Sequence, residues 1–165
     1  MPRRKLPQST VPTRQRRCAF GLALALLPGT PAATDAADSI AGPVAAEVLR
    51  VVDGDTLTVE AAIWVGQRIT VNARIRGIDT PELRGRCPRE SAMATVARDA
   101  LVAIAGSARV TLTDIENDKY AGRVVADVTT AEGIDLGAHM RAAGLARAYD
   151  GGARSGWCDV AGLDE

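Results

Sequence analysis

A chain of 165 residues, 47% hydrophobic and only 3% aromatic, has room for one domain whose core is built from Val, Ile, Leu and Ala. Its 20 basic and 20 acidic residues cancel, which excludes the strongly basic footprint of a protein that grips nucleic acid along a whole face. Six of those basic residues and one acidic residue fall in the first 37, leaving 14 against 19, a net of −5. Any contact with a polyanion must therefore be local, weak and sensitive to salt.

The N-terminus reads as a leader. Arg3, Arg4, Lys5, Arg14, Arg16 and Arg17 precede an apolar run from Cys18 to Leu27, which Pro28 and Gly29 end, and small residues follow to Ala37. This layout predicts a secretory signal peptide over residues 1–37, cut after Ala32, Ala33, Ala36 or Ala37. The apolar run is shorter than the ~18 residues of a membrane span, so no span is expected once the leader is removed. An uncleaved anchor or a disordered tail is the competing reading. Arg16-Arg17 is a weak hint of the twin-arginine route. The expected location is outside the cytoplasm, periplasmic or secreted. Two cysteines follow the leader, Cys87 and Cys158. In an exported chain they invite one disulfide; in a reducing compartment they stay thiols.

Residues 38–46 form a short N-terminal segment without an assigned element. Val48 to Val52 is a β-branched run ending at Asp53-Gly54-Asp55-Thr56, and Asp-Gly between apolar segments predicts a hairpin. Leu57 and Val59 continue the alternation, and Gly66-Gln67 marks a second turn. The next strand places Ile69, Val71, Ala73 and Ile75 on one face and Thr70, Asn72, Arg74 and Arg76 on the other. It is expected to run to Pro81, which cannot donate to a ladder. Leu83 to Arg86 reads as a loop, and Pro88 starts a helix that Gly106 stops. Its apolar face is predicted on Ala92, Met93, Val96, Ala97, Ala100, Leu101 and Ile104. Val110 and Leu112 lie in a fourth strand and Arg123 to Val128 in a fifth, joined by a turn at Asn117 to Gly122. Asp135 caps a short helix from Leu136 to Ala143. Leu145 to Tyr149 runs extended, and residues 151–165 are a short tail. Three strands, a helix, two strands and a helix predict an α+β domain over residues 47–150, a five-stranded β-barrel of the OB type with two main helices.

Three polar segments stand out on this frame. Two are acidic and lie at strand edges, Asp53 to Asp55 and Asp79 to Glu82; the third is the turn Asp118 to Arg123. Carboxylates and carbonyls are the ligands of hard cations, and the planar fork of arginine suits phosphate. Phosphodiester hydrolysis needs both, together with a positioned water. Taken singly, each segment also reads as an ordinary turn.

Together and in order, Val52-Asp53-Gly54-Asp55-Thr56, Arg74 through Asp79-Thr80-Pro81-Glu82, Asp118 to Arg123 and Gly144-Leu145-Ala146-Arg147 resemble the staphylococcal nuclease (thermonuclease-like) family, over about residues 45–150. The resemblance implies an OB-fold barrel that cleaves DNA and RNA with Ca²⁺ and leaves 3′-phosphates. It implies Asp55 and Asp79 as metal carboxylates and Thr80 as a carbonyl ligand, with Asp53 steadying them from behind. Glu82 would orient or deprotonate the attacking water, and Arg74 and Arg123 would clamp the phosphate. Lys119 and Tyr120 would lie near a terminal phosphate, and Tyr149 would stack on a base. The chain departs from the family pattern in an extra residue, Ala121, in a shorter loop from Leu83 to Arg89, and in a tail too short for a third helix, whose place a Cys87–Cys158 bridge would take.

The alternative is a barrel of the same type that binds single-stranded nucleic acid or a protein without cutting it. That reading gives no reason for Asp55, Asp79, Glu82, Arg74 and Arg123 to occur together. No stable protein partner is implied and a monomer is expected. His139, the single histidine, reads as an ordinary polar position, and Trp64 and Trp157 as packing residues or loop anchors rather than base-stackers. Arg84, Arg86 and Arg89 are either a backbone-tracking loop or a solvated face.

Overall fold

The structure is a computed structural model and describes residues 39–158; the expected leader lies outside them. Its strands are β1 (Ser39–Ile40), β2 (Val44–Val51), β3 (Thr56–Trp64), β4 (Gln67–Ile75), β5 (Ile78–Asp79), β6 (Arg109–Asn117), β7 (Arg123–Thr130) and β8 (Arg147–Ala148). Helix α1 (Pro88–Ala105) falls between β5 and β6, and α2 (Leu136–Ala142) between β7 and β8. Strands β2, β3 and β4 form an antiparallel meander, β7 pairs parallel with β4, and β6 joins β7 to β2. The sheet thus closes on itself as a five-stranded barrel with two helices, an OB-fold arrangement that leaves few open edges.

Inward positions alternate along each strand, as the pleat requires. Leu57, Val59, Ala73, Ile75, Leu112, Ala126 and Val128 form the barrel core, and Leu101, Leu136 and Met140 from the helices close its end. Two details of the expected elements differ. Strand β2 begins at Val44 rather than Val48, because Val44 to Glu47 pair with β6. Helix α1 keeps its bounds but presents a rotated face: Ala94, Ala97, Leu101 and Ala105 are buried, while Ala92 is exposed and Val96 is 57% exposed. Small side chains win the buried face because the helix lies close to the barrel. A Cβ added to Gly54 would come within 2.9 Å of the Ala97 Cβ.

The largest departure concerns the strand leading to the acidic segment. β4 stops at Ile75 instead of continuing to Pro81. Gly77 adopts φ +74°, a left-handed conformation that glycine takes without a Cβ clash. The chain then turns off the barrel and pairs β5 with β8, setting Asp79 opposite Arg147. The acidic segment is therefore fixed by the C-terminal part of the chain as well as by the meander.

Candidate active site

The antiparallel register of β3 and β4 places Thr56 opposite Arg74. Asp55 precedes Thr56, and its carbonyl accepts the Ile75 N–H at 2.8 Å. The Asp55 side chain is brought to Arg74 by this ladder, nineteen residues away in sequence. Gly54 permits the geometry by close approach: a Cβ there would meet the Thr80 hydroxyl at 2.9 Å. The turn therefore packs directly on the segment that bears Asp79 and Thr80.

Asp55, Arg74, Asp79 and Thr80 are all buried. Arg74 Nη1 stands 2.7 Å from Asp55 Oδ1, and its Nη2 is 4.0 Å from Asp79 Oδ1 and donates to the Ile78 carbonyl at 3.1 Å. One guanidinium thus spans the two carboxylates. The Thr56 hydroxyl donates to Asp55 at 2.8 Å, and Asp53 accepts the Asp55 N–H at 3.1 Å. Burial pushes the Asp55 carboxyl up to about 7; the Arg74 charge works against that shift, and the neighbouring Asp53 adds to it. Asp79 Oδ1 is buried and accepts no hydrogen bond among the described residues; its charge is met by the guanidinium groups of Arg154, whose Nε lies 3.1 Å away, and of Arg74. A buried carboxylate oxygen without a hydrogen bond, beside a second buried carboxylate, is an oxygen donor set that a hard cation would also satisfy.

Glu82 lies just past Pro81 and is exposed. The loop that carries it is pinned by helix α1. Buried Glu90 accepts the Arg86 N–H at 2.7 Å and the Glu82 N–H at 3.4 Å, and Ser91 Oγ accepts the Gly85 N–H at 3.2 Å. Residue type alone places Glu90 in the first helical turn, where acids favour the dipole. Its role as a loop clamp rests on a tertiary contact: Gly85 approaches it so closely that a Cβ would lie 2.6 Å from the Glu90 Cγ.

A cleft of about 910 Å³ that Arg74 and Glu82 line is also lined by the turn between β6 and β7. Arg123 pairs there with Asp118 and stands 4.7 Å from the centre of the Tyr120 ring. Partial burial works against the Asp118 charge, but the Arg123 hydrogen bond and charge outweigh it and hold that carboxyl below its ordinary range. Arg74, Glu82, Lys119, Tyr120, Arg123 and Tyr149 all line this one cleft. A neighbouring cavity of about 280 Å³ holds Asp79, Thr80 and Arg84, and Glu82 belongs to both. Tyr149 hangs over the cleft, with the Arg74 guanidinium 5.9 Å from its ring centre. The structure thus gathers every residue assigned to substrate and places the assigned ion ligands beside them.

Other residues fall elsewhere. His139 is exposed on α2, and Trp64 is 76% exposed at the tip of the β3–β4 hairpin. Arg76 also lines the cleft, but its guanidinium is occupied in tying the end of β4 to β6 and β7 through Glu116, the Asp114 carbonyl and the Val125 carbonyl.

The tail adds residues that sequence reasoning did not assign to the site. Cys87 and Cys158 are joined in a disulfide, with Cα atoms 6.1 Å apart. Trp157 is buried beside them and donates its indole N–H to Asp79 Oδ2 at 3.1 Å. The Arg147 guanidinium lies 3.7 Å from the centre of the Trp157 ring. Arg154 reaches into the site, pairing with Glu82 and placing its Nε 3.1 Å from Asp79 Oδ1. The only signal for this in the sequence is the adjacency of Trp157 to Cys158.

Residues 72–156, more than half of the chain, match the family model described as staphylococcal nuclease homologue. The match spans Arg74, Asp79 to Glu82, Lys119 to Arg123 and Tyr149; Asp53 and Asp55 precede it. No match is found among curated proteins.

Proposed function

From the premise that this chain belongs to the staphylococcal nuclease homologue family, whose members are nuclease-type or nucleic-acid-binding domains, we propose that it is an exported Ca²⁺-dependent nuclease that hydrolyses phosphodiester bonds of DNA and RNA and leaves 3′-phosphate ends. The observation that carries the proposal is the pair of buried carboxylates, Asp55 and Asp79, spanned by Arg74 beside a cleft that Arg123 also lines. A binding-only barrel gains nothing from burying two carboxylates, and burial of charge is costly unless it is used or compensated.

Asp55, Asp79 and the Thr80 carbonyl would hold the ion, which supplies charge neutralisation at the phosphoryl oxygens. Asp53 holds the Asp55 backbone from behind. Glu82, exposed at the rim of the cleft, accepts a proton from the attacking water. Arg74 and Arg123 stand on the paired strands β4 and β7, both line the cleft, and together they stabilise the charge that develops on the phosphate. Lys119 and Tyr120 sit beside Arg123 and extend the binding surface, and the Tyr149 ring offers a stacking face. Among the described residues no helix is long and apolar enough to cross a membrane. Export is supported by the basic and apolar N-terminal sequence and by the bonded pair Cys87–Cys158.

The test is digestion of DNA and RNA with Ca²⁺ and with a chelator, followed by analysis of the product ends. Cleavage that requires the ion and yields 3′-phosphates supports the proposal. Tight binding of single strands without cleavage, by folded protein at saturating Ca²⁺, would leave the family's binding function as the better reading.

A further inference from the structure

The tail brings a cation of its own to the carboxylates. Arg154 pairs with Glu82, and its Nε lies 3.1 Å from Asp79 Oδ1, the oxygen that accepts no hydrogen bond. It lines both the large cleft and the smaller cavity. The segment that carries it is anchored at both ends. On one side β8 pairs with β5, and the Tyr149 N–H donates to the Gly77 carbonyl at 3.0 Å. On the other, Trp157 is bonded to Asp79, and Cys158 to Cys87. Arg147 adds a hydrogen bond to the Gly156 carbonyl at 2.9 Å. Arg154 therefore cannot diffuse away, and its effective concentration at the carboxylates is that of a short tethered loop.

We propose that Arg154 is a positioning residue that holds the Asp79 and Glu82 carboxylates as a built-in counter-cation and competes with the divalent ion for them. The proposal rests on the metal site of the proposed nuclease function. Two further points support it. A guanidinium and a divalent ion cannot share one carboxylate edge without strong like-charge repulsion. The guanidinium also lies 5.9 Å from the centre of the Tyr149 ring, facing the cleft, so a displaced Arg154 has an aromatic face to move toward. In the ion-free protein the arginine keeps two neighbouring carboxylates from repelling one another. In the ion-bound protein it is released toward the substrate side.

Isothermal titration of Ca²⁺ into the oxidised protein, with no nucleic acid present, reads the competition directly. Arg154→Ala is expected to lower the apparent Kd about tenfold, because the apparent constant is the intrinsic one divided by the fraction of molecules whose carboxylates are free. Arg84→Ala removes a charge from the same small cavity and controls for net charge; it is expected to change the Kd by no more than about twofold. Thermal melting supplies a second readout. Arg154→Ala should melt lower than the parent without ion, and the two should converge at saturating Ca²⁺. An unchanged or weaker affinity in Arg154→Ala overturns the proposal, as does an equal shift in Arg84→Ala. If neither the parent nor Arg154→Ala binds the ion while both are folded, the metal reading itself fails and this proposal falls with it. Equal binding by the two defeats this proposal alone.

Discussion

The two halves of the site are built in different ways. The carboxylate wall belongs to the barrel: Asp55 is fixed by the β3–β4 ladder, above a core that contains Leu57, Ala73 and Ile75. The arginine-bearing tail, by contrast, has only a two-residue strand, β8, and is otherwise irregular. It is held by an indole–carboxylate hydrogen bond, an arginine stacked on that indole and one disulfide. Apolar burial and a continuous ladder fix geometry whatever the solvent contains, whereas polar anchors and a redox-sensitive bond fix it conditionally. In this fold Asp55 stands on the unconditional part, Asp79 is shared between the two through β5–β8 and Trp157, and Arg154, which competes for the carboxylates, stands on the conditional part.

Removing Arg74 should strain the barrel half most. Arg74→Ala leaves Asp55 buried without its cation, and breaking a buried pair of this kind costs about 3 kcal/mol or more. Urea unfolding at pH 8 should show that loss, and the loss should shrink at pH 5, where Asp55 is protonated. A stability equal to the parent's at both pH values would mean that the Asp55–Arg74 pair does not hold the wall together.

Cutting the tail's tether is the matching test of the other half. Reduction of Cys87–Cys158, or Cys158→Ser, removes a crosslink spanning 71 residues and should cost about 2–4 kcal/mol. Unlike Arg74→Ala, it should raise hydrogen exchange and protease sensitivity over residues 150–158 while the barrel strands stay protected. Uniform loss of protection across β2 to β7 would show that the two halves are not separable.

A smaller effect concerns pH. The folded Asp55 carboxyl stands at about 7, above the roughly 3.9 of an unfolded chain. The folded state therefore holds a proton that the unfolded state has lost, and this contribution is complete below about pH 4 and is lost as pH rises through 7. The ion-free protein should melt lower at pH 8 than at pH 5. Asp55→Asn, which cannot ionise, should flatten that slope. Melting measured with a chelator present checks both, and an Asp55→Asn protein with the parent's slope would place the titration elsewhere.

Much of this arrangement was legible before the structure. Asp53-Gly54-Asp55, the alternation from Ile69 to Arg76 and the Pro88 start and Gly106 stop of α1 are local patterns, and the β3–β4 register follows from them. The barrel was legible because each strand carries its own period. Contacts that depend on chain crossing were not. The break at Gly77 looks like a continuing strand until β8 is there to capture β5. The buried face of α1 followed small residues rather than the larger Met93 and Val96, because close packing against Gly54 decided it. Glu90, Arg154 and Trp157 belong to the site through long-range contacts alone, which no local pattern encodes.

The central claim is that the exposed carboxylate beside this buried pair performs chemistry. Single-turnover cleavage of a labelled single-stranded oligonucleotide at saturating Ca²⁺, by the parent and by Glu82→Gln, tests it most directly. The account predicts a rate lower by about 10²–10⁴-fold in Glu82→Gln, as expected for loss of a general base, with Ca²⁺-dependent melting retained. Equal rates in the two proteins, or no Ca²⁺-dependent cleavage by the folded parent, would contradict it.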